Sequence, residues 1–222
     1  MTTGLVLPSP FLGPAVYAWF ATALTELGVP TRVATYDGPP EAGRLVEQWS
    51  RQAADLRDAV LVAHSNAGLL APLVAHAVAG CRTVFVDAAL PADEGRTALA
   101  PPPLRRALAD IADADGLLPP WTRWWSQEEL TEVLPEPWSG QVGPLVPRVP
   151  LSYVEATVDL PAGWAGGRCA YLALGATTYA AEIERAGDLG WPVSVLPHAG
   201  HLHVVVAPHE TATAVVDLAE RL

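Results

Sequence analysis

Residues 59–68 read AVLVAHSNAG, and this stretch decides how the chain folds. Residues 59–62 form a short continuous apolar run, which is typical of a strand buried on both faces. From residue 69 to residue 79 the apolar spacing is that of an amphipathic helix. Ser65 therefore lies in the turn between a strand and a helix, and the small residues Ala63 and Ala67 allow that turn to be tight. The simplest alternative is that Ser65 only caps the helix.

The same alternation of strands and helices runs through most of the chain. Short apolar runs predict six strands, over Gly4–Leu7, Thr31–Thr35, Ala59–Ala63, Arg82–Asp87, Cys169–Leu174 and Pro192–Leu196. Amphipathic segments predict helices over Ala15–Leu27, Glu41–Arg57, Asn66–Ala79, Tyr179–Asp188 and His209–Arg221. This order predicts the α/β class, with a mainly parallel sheet of about six strands flanked by helices. The 222 residues suit one domain.

Residues 90–163 interrupt this alternation. The segment is rich in proline and contains Trp121, Trp124 and Trp125. A loop of this length in a compact domain usually has a function. We therefore predict a lid or cap insertion within the single domain 1–222, with the three tryptophans lining a substrate pocket. The alternative is a surface excursion with its own small apolar cluster.

Composition limits the partners that the chain can have. The formal charge of −11 repels nucleic acid and acidic membrane surfaces, so we expect a small-molecule substrate and leave an oligomer open. No apolar run approaches the roughly 20 residues of a membrane span. The N-terminal residues lack the pattern of a secretory signal, which favours a cytoplasmic location. Cys81 and Cys169 are then expected to be free thiols.

The turn at Ser65 resembles the G-x-S-x-G nucleophile elbow of the α/β-hydrolase fold superfamily, with Ala63 and Ala67 in the glycine places. The small esterase and hydroxynitrile-lyase-like members are the most similar, and the resemblance covers nearly the whole chain. It implies the α/β-hydrolase topology with a lid and makes Ser65 the nucleophile. The Asn66 N–H would then face the developing oxyanion. His64, which precedes the nucleophile, is expected to pack rather than react.

Four histidines follow the last predicted strand, three of them in the segment His198-Ala199-Gly200-His201-Leu202-His203. The Gly200-His201 pair resembles the loop that carries the general base in this superfamily, so we predict His201 as the base. His198 and His203 remain alternatives. A metal site is the rival interpretation of these histidines, but no neighbouring Cys or paired carboxylate completes it. We predict no metal, and no cofactor, since no G-x-G-x-x-G follows a strand.

The triad acid departs from the pattern of the superfamily. The usual place follows the strand Cys169–Leu174, where this chain has Thr178. Asp87 ends the preceding predicted strand, Arg82–Asp87, and some lipases of the superfamily have their acid in this place. We therefore predict that Asp87 orients His201. Glu182 is an alternative, and so is the absence of an acid, with Asp87 only binding local amides.

The first strand also departs from the pattern, because it normally runs into His-Gly-x and the N–H of x completes the oxyanion hole. Here Pro10 occupies the donor position, and proline has no N–H. The Phe11 N–H or the Ser9 hydroxyl is the expected substitute. Loss of one such donor costs roughly 10²–10³ in the rate of acyl transfer.

Three functions are consistent with these residues. The first is a serine hydrolase that acts on a small or medium apolar ester or thioester through an acyl-enzyme. The second is a lyase, isomerase or cyclase of the same fold, in which His201 transfers protons on a biosynthetic intermediate. The third is a non-catalytic member of the fold that binds a ligand.

Overall fold

The computed structural model describes residues 2–222. Its strands are β1 (Gly4–Leu7), β2 (Thr31–Val33), β3 (Val60–His64), β4 (Arg82–Val86), β5 (Gly95–Ala98), β6 (Thr157–Leu160), β7 (Arg168–Leu174) and β8 (Val193–Leu196). Its α-helices are α1 (Ala18–Glu26), α2 (Ala42–Ala53), α3 (Ala71–Ala75), α4 (Pro102–Ile111), α5 (Gln127–Val133), α6 (Trp138–Val142), α7 (Leu151–Glu155), α8 (Ala180–Asp188), α9 (His203–Val206) and α10 (Pro208–Glu220).

Six strands form one parallel sheet in the order β2-β1-β3-β4-β7-β8. This arrangement confirms the predicted α/β class and the parallel sheet of six strands. Strands β1 and β3 are buried along their whole length, as their continuous apolar runs predict. Because all six strands run the same way, their carboxyl ends lie at one edge of the sheet, which is where ligands bind in such folds.

The predicted helix over Asn66–Ala79 is shorter and tighter than expected. It begins as a 3₁₀ turn over Ser65–Leu69, and α3 covers only five residues. Gly68 shows why this turn packs closely, since a Cβ there would lie 2.3 Å from the Ala89 carbonyl oxygen. The turn therefore lies directly against the chain that leaves β4.

The segment between β4 and β7 has more regular structure than the sequence predicts. Strands β5 and β6 form an antiparallel ribbon, and helices α4 to α7 lie between them. Apolar periodicity misses β5 because the strand is short and partly exposed. Leu118, Leu134 and Val149 are nearly or fully buried, so the segment shares the hydrophobic core.

Two further observations concern the chain as a whole. Cys81 is partly buried and Cys169 is buried, and both are free thiols. Within residues 2–222, no helix combines the length and the apolar character that a membrane span requires.

Candidate active site

Ser65 lies at the first residue after β3, where the chain turns sharply into a helical turn. Its φ of 58° is in the left-handed region, which is strained for a residue with a Cβ. The structure holds it there because Ala63 and Ala67 are fully buried and the Ala89 N–H donates to the Ser65 carbonyl at 3.2 Å. This left-handed backbone conformation directs the Ser65 hydroxyl away from the sheet and beside the first N–H groups of the turn.

His201 joins Ser65 to Asp87 through its two ring nitrogens. The Ser65 hydroxyl donates to His201 Nε2 at 3.1 Å, and His201 Nδ1–H donates to Asp87 Oδ2 at 2.6 Å. The second carboxylate oxygen of Asp87 accepts the Leu174 N–H at 3.1 Å, and the side chain is only 1% exposed. The hydrogen bond to Asp87 keeps the imidazole proton on Nδ1. The lone pair of Nε2 then faces Ser65 and can accept the proton of its hydroxyl.

The sheet explains why Asp87 reaches His201 from the end of β4. Strand β4 lies between β3 and β7, and the Asp87 N–H donates to the Leu172 carbonyl at 2.7 Å. Its φ of 42° turns the chain at the carboxyl edge, as at Ser65. Thr178 and Glu182, in the more usual place for the acid, line the neighbouring cavity instead. Among residues 2–222, Asp87 supplies the carboxylate that hydrogen-bonds to His201.

His64 has a structural connection that the sequence gives no signal for. The Tyr17 hydroxyl lies 2.7 Å from His64 Nδ1 and accepts the Ser9 N–H at 3.0 Å, while His64 Nε2 lies 2.9 Å from the His201 carbonyl oxygen. The two imidazole rings stack with centroids 4.7 Å apart. Burial, followed by the nearby His201, holds the pKa of His64 well below its ordinary value, so the ring is neutral. His64 therefore donates from Nε2, accepts at Nδ1, and joins the β1 loop to the loop of His201.

Two backbone N–H groups are candidates for an oxyanion hole. The Asn66 N–H belongs to the first turn after the elbow, where N–H groups have no acceptor within the helix. The Leu12 and Gly13 N–H groups both donate to the Ser9 carbonyl, whereas Phe11 N–H has no acceptor in the part of the chain that the structure describes. Pro10 therefore moves the candidate donor along by one residue. The Ser9 hydroxyl is buried and likewise unpaired within that part.

The side chain of Asn66 connects the elbow to the 90–163 segment. Tyr153 Oη–H donates to Asn66 Oδ1 at 2.6 Å, and Asn66 Nδ2 donates to the Leu99 carbonyl at 2.8 Å. Both of its amide groups are thus used, which leaves its backbone N–H as the group available to a ligand. These two contacts therefore hold the side chain of Asn66, a residue of the cavity wall, in place.

A cavity of about 530 Å³ opens above Ser65. Trp121, Trp124 and Trp125 all line this cavity, and the centroid of the Trp121 ring lies 6.4 Å from that of His201. Its wall is largely apolar but includes three carboxylates and no Lys or Arg among the described residues. Its lining consists of Phe11, Ser65, Asn66, Leu69, Ala89, Leu99, Pro101, Leu104, Trp121, Trp124, Trp125, Glu129, Glu132, Val133, Thr178, Tyr179, Glu182 and His201.

Tyr179 is a residue of this cavity that the sequence analysis does not identify. It lies at the start of α8 and lines the cavity, and its ring centroid is 5.8 Å from that of His201. Burial raises the pKa of Tyr179 to about 12, so the hydroxyl stays protonated at neutral pH. Its only sequence signal is its place after β7, where the triad acid of the superfamily usually lies.

The alternative bases do not reach Ser65. His198 and His203 both hydrogen-bond to Glu210, in the first turn of α10. From the sequence, no neighbouring Cys or paired carboxylate completes a metal site with these histidines. In the structure, the start of α10 brings the single carboxylate of Glu210 to His198 and His203.

Comparison with known proteins gives one sequence match and several structural ones. A model of the alpha/beta hydrolase family matches residues 7–218. A search of curated proteins gave no match. An extracellular alpha/beta-hydrolase from a Paenibacillus species, described as homologous to tobacco salicylic acid binding protein 2, is 19% identical, with a TM-score of 0.72 over 98% of each chain.

Two further solved structures have the same fold. Polyneuridine aldehyde esterase is 13% identical, with a TM-score of 0.70 over 99% of this chain and 100% of its own. A variant of tomato methylketone synthase I is 11% identical, with a TM-score of 0.67 over 99% of this chain and 98% of its own. At these identities the likeness concerns the fold, which supports many chemistries.

Proposed function

We propose that this chain, which belongs to the alpha/beta hydrolase family, is a serine hydrolase. In this proposal it cleaves small or medium apolar esters or thioesters through an acyl-enzyme. The observation that carries the proposal is the hydrogen-bonded series Asp87–His201–Ser65 at the floor of an apolar cavity. A serine, a base and a group that orients the base are the three parts that acyl transfer by a serine requires.

The geometry suggests a role for each group. Ser65 Oγ attacks the carbonyl carbon while His201 Nε2 takes the hydroxyl proton, and buried Asp87 stabilises the imidazolium that forms. The N–H groups of Phe11 and Asn66 then face the oxyanion. When the tetrahedral intermediate collapses, His201 returns the proton to the leaving alcohol or thiol. Water, deprotonated by the same nitrogen, releases the acyl group from Ser65.

The lining of the cavity supports the substrate class. A volume of about 530 Å³ and the tryptophan walls suit an apolar group of small or medium size. Glu129, Glu132 and Glu182 give the wall a negative charge that no Lys or Arg of the lining neutralises. Since like charges repel more strongly where water is excluded, substrates with a free carboxylate or phosphate are disfavoured. Neutral and cationic esters remain favoured, and polyneuridine aldehyde esterase, by its name, acts on an ester in the same fold.

One observation favours the second candidate, a non-hydrolytic lyase, isomerase or cyclase. Pro10 has no N–H to give the oxyanion, and such a reaction needs His201 to transfer protons but no acyl-enzyme. This candidate predicts activity that survives Ser65→Ala and is lost in His201→Ala. The hydrolase predicts that both variants are inactive.

The direct test uses a fluorophosphonate, which forms a covalent bond with an activated serine. Intact-protein mass spectrometry should show one adduct on the wild type and none on Ser65→Ala, with strongly slowed labelling of His201→Ala. Ser50→Ala in α2 is the matched control and should label like the wild type. Absence of an adduct on folded wild type would contradict the proposal and would favour the ligand-binding alternative.

A panel of p-nitrophenyl esters then tests the substrate class. Rates should rise with acyl chain length until the cavity is filled and then fall. Esters with a terminal carboxylate should be cleaved more slowly than neutral esters of the same length. Equal rates for the charged and neutral members would contradict the role given to the three glutamates.

A further inference from the structure

His198, His203 and Glu210 form a compact cluster beside the loop that carries His201. Each oxygen of the Glu210 carboxylate pairs with one imidazole, with His198 Nε2 at 2.9 Å and His203 Nε2 at 2.8 Å. One nitrogen of each imidazole and one carboxylate oxygen all lie within 4.8 Å of one another. The side chain of His203 is 11% exposed, whereas His198 and Glu210 face solvent. Three donor groups thus converge on one point without any rearrangement of the backbone.

We propose that this cluster binds one divalent transition-metal ion of the zinc type. Two imidazole nitrogens and a carboxylate oxygen are a ligand set that Zn²⁺ uses when water fills its fourth position. Ligand atoms at about 2.0–2.1 Å from a tetrahedral ion lie about 3.3 Å apart. The two His–Glu contacts therefore open by about half an ångström, and the two imidazole nitrogens, now within 4.8 Å of each other, adjust to the same separation. Two imidazoles disfavour Mg²⁺ and Ca²⁺, which prefer oxygen ligands.

The charge and exposure of the cluster suit this ion. A glutamate carboxyl is ordinarily ionised at neutral pH, so Glu210 gives the ion one negative charge. The exposed side of His198 and Glu210 provides both a path for entry and room for the water ligand.

An ion bound by this cluster stabilises the loop that carries His201. His198 precedes the His201 loop, His203 is the first residue of α9, and Glu210 lies in the first turn of α10. His201 lies between the two histidines in sequence and is held from the core by His64 and Asp87. The bound ion connects the two ends of this loop to α10 on the outer side, so it stabilises the loop without touching the ring of His201.

The ordinary alternative is a hydrogen-bonded surface cluster with no ion. The chain offers a matched example of that arrangement in His209, whose Nε2 lies 2.6 Å from Glu26 Oε2. That pair also joins an imidazole to a carboxylate at the start of α10. It supplies two ligands rather than three, which makes it an internal control.

Calorimetric titration of the chelator-treated full-length protein with ZnCl₂ tests the proposal. We expect one ion per chain with a micromolar dissociation constant. At an ion concentration about 100 times that constant, the Tm should rise by about 5–10 °C. His203→Ala and Glu210→Gln should each weaken binding by about tenfold or more, and His209→Ala should leave it unchanged. X-ray absorption of the bound ion should show two imidazoles, with nitrogen and oxygen ligands at about 2.0–2.2 Å.

The His201→Ala variant distinguishes this cluster from an ion bound at Ser65. Binding should persist in this variant, because His201 is not a ligand of the proposed site. The proposal is overturned by a wild type that shows no saturable binding, by unchanged affinity in Glu210→Gln, or by loss of binding in His201→Ala. His198→Ala, at an exposed position, repeats the test if His203→Ala fails to fold, as judged by circular dichroism. None of these readouts depends on catalysis, so the site and the proposed hydrolase activity can fail separately.

Discussion

Replacing Asp87 with Asn tests the least usual feature of the site, an acid at the end of β4. The amide has nearly the shape of the carboxylate but only one acceptor, whereas Asp87 now accepts from His201 Nδ1–H at 2.6 Å and from the Leu174 N–H at 3.1 Å. If the amide oxygen faces Leu174, its NH₂ faces His201 Nδ1. The imidazole must then carry its proton on Nε2, which can no longer accept the proton of Ser65.

The opposite orientation of the amide is also unfavourable. It would keep the right tautomer, but it would place the NH₂ group against the Leu174 N–H in a buried site, where an unpaired donor costs about 1–3 kcal/mol. The negative charge that stabilises the imidazolium is lost in both cases. We therefore expect Asp87→Asn to lower kcat by about 10³–10⁴, which corresponds to about 4–5.5 kcal/mol at 1.36 kcal/mol per tenfold.

The assay is ester hydrolysis together with the rate of fluorophosphonate labelling. Glu182→Gln is the matched control, since it removes a carboxylate from the cavity wall that is not hydrogen-bonded to His201, and its kcat should change by less than about threefold. Circular dichroism confirms that both variants are folded. The reasoning is refuted if Asp87→Asn keeps more than about a tenth of the activity, or if Glu182→Gln loses as much.

Three further predictions concern the surroundings of the site. His64→Phe removes the hydrogen-bond partner of the buried Tyr17 hydroxyl and of the His201 carbonyl, and each loss costs about 1–3 kcal/mol of stability. Chemical denaturation should therefore show a less stable protein, and kcat should change more than KM. An unchanged kcat would show that His64 does not position His201. Gly68→Ala places a Cβ 2.3 Å from the Ala89 carbonyl oxygen, so the turn at Ser65 must move and both Tm and kcat should fall. Gly43→Ala in α2 is the control, because a Cβ there has no atom within 4 Å, and it should keep the wild-type kcat. Burial raises the pKa of Glu182 above its ordinary value, so ionisation of this carboxyl opposes folding. Glu182→Gln should therefore raise the Tm at pH 7, and the gain should disappear below about pH 4.3, where the carboxyl is protonated in the unfolded chain as well. A gain in Tm that persists below that pH would contradict a charge effect.

Local sequence patterns are enough to predict the sheet and the position of Ser65 in the turn after β3. Continuous apolar runs mark strands of a parallel sheet. The inner strands β1, β3, β4 and β7 are buried as this pattern predicts, whereas the edge strands β2 and β8 are partly exposed. The strand at residues 59–63 and the serine turn after it could therefore be predicted within about one residue. The Gly200-His201 pair could be identified from its place in the loop that follows the last predicted strand, although that strand, β8, is only partly buried.

The hydrogen-bond partners of the polar side chains depend on tertiary packing and cannot be read from spacing along the chain. Asp87 can reach His201 because β4 lies between β3 and β7, and the order of strands in a sheet is not a local property of any of them. His64 looks like a packed residue in the sequence, and its place between Tyr17 and the His201 carbonyl arises from three segments that are far apart in the chain. Glu210 completes the histidine cluster only because α10 begins by folding back on the loop. Local patterns thus fix which residues are buried and where the chain turns, while the partners of a polar group depend on the packing of distant segments.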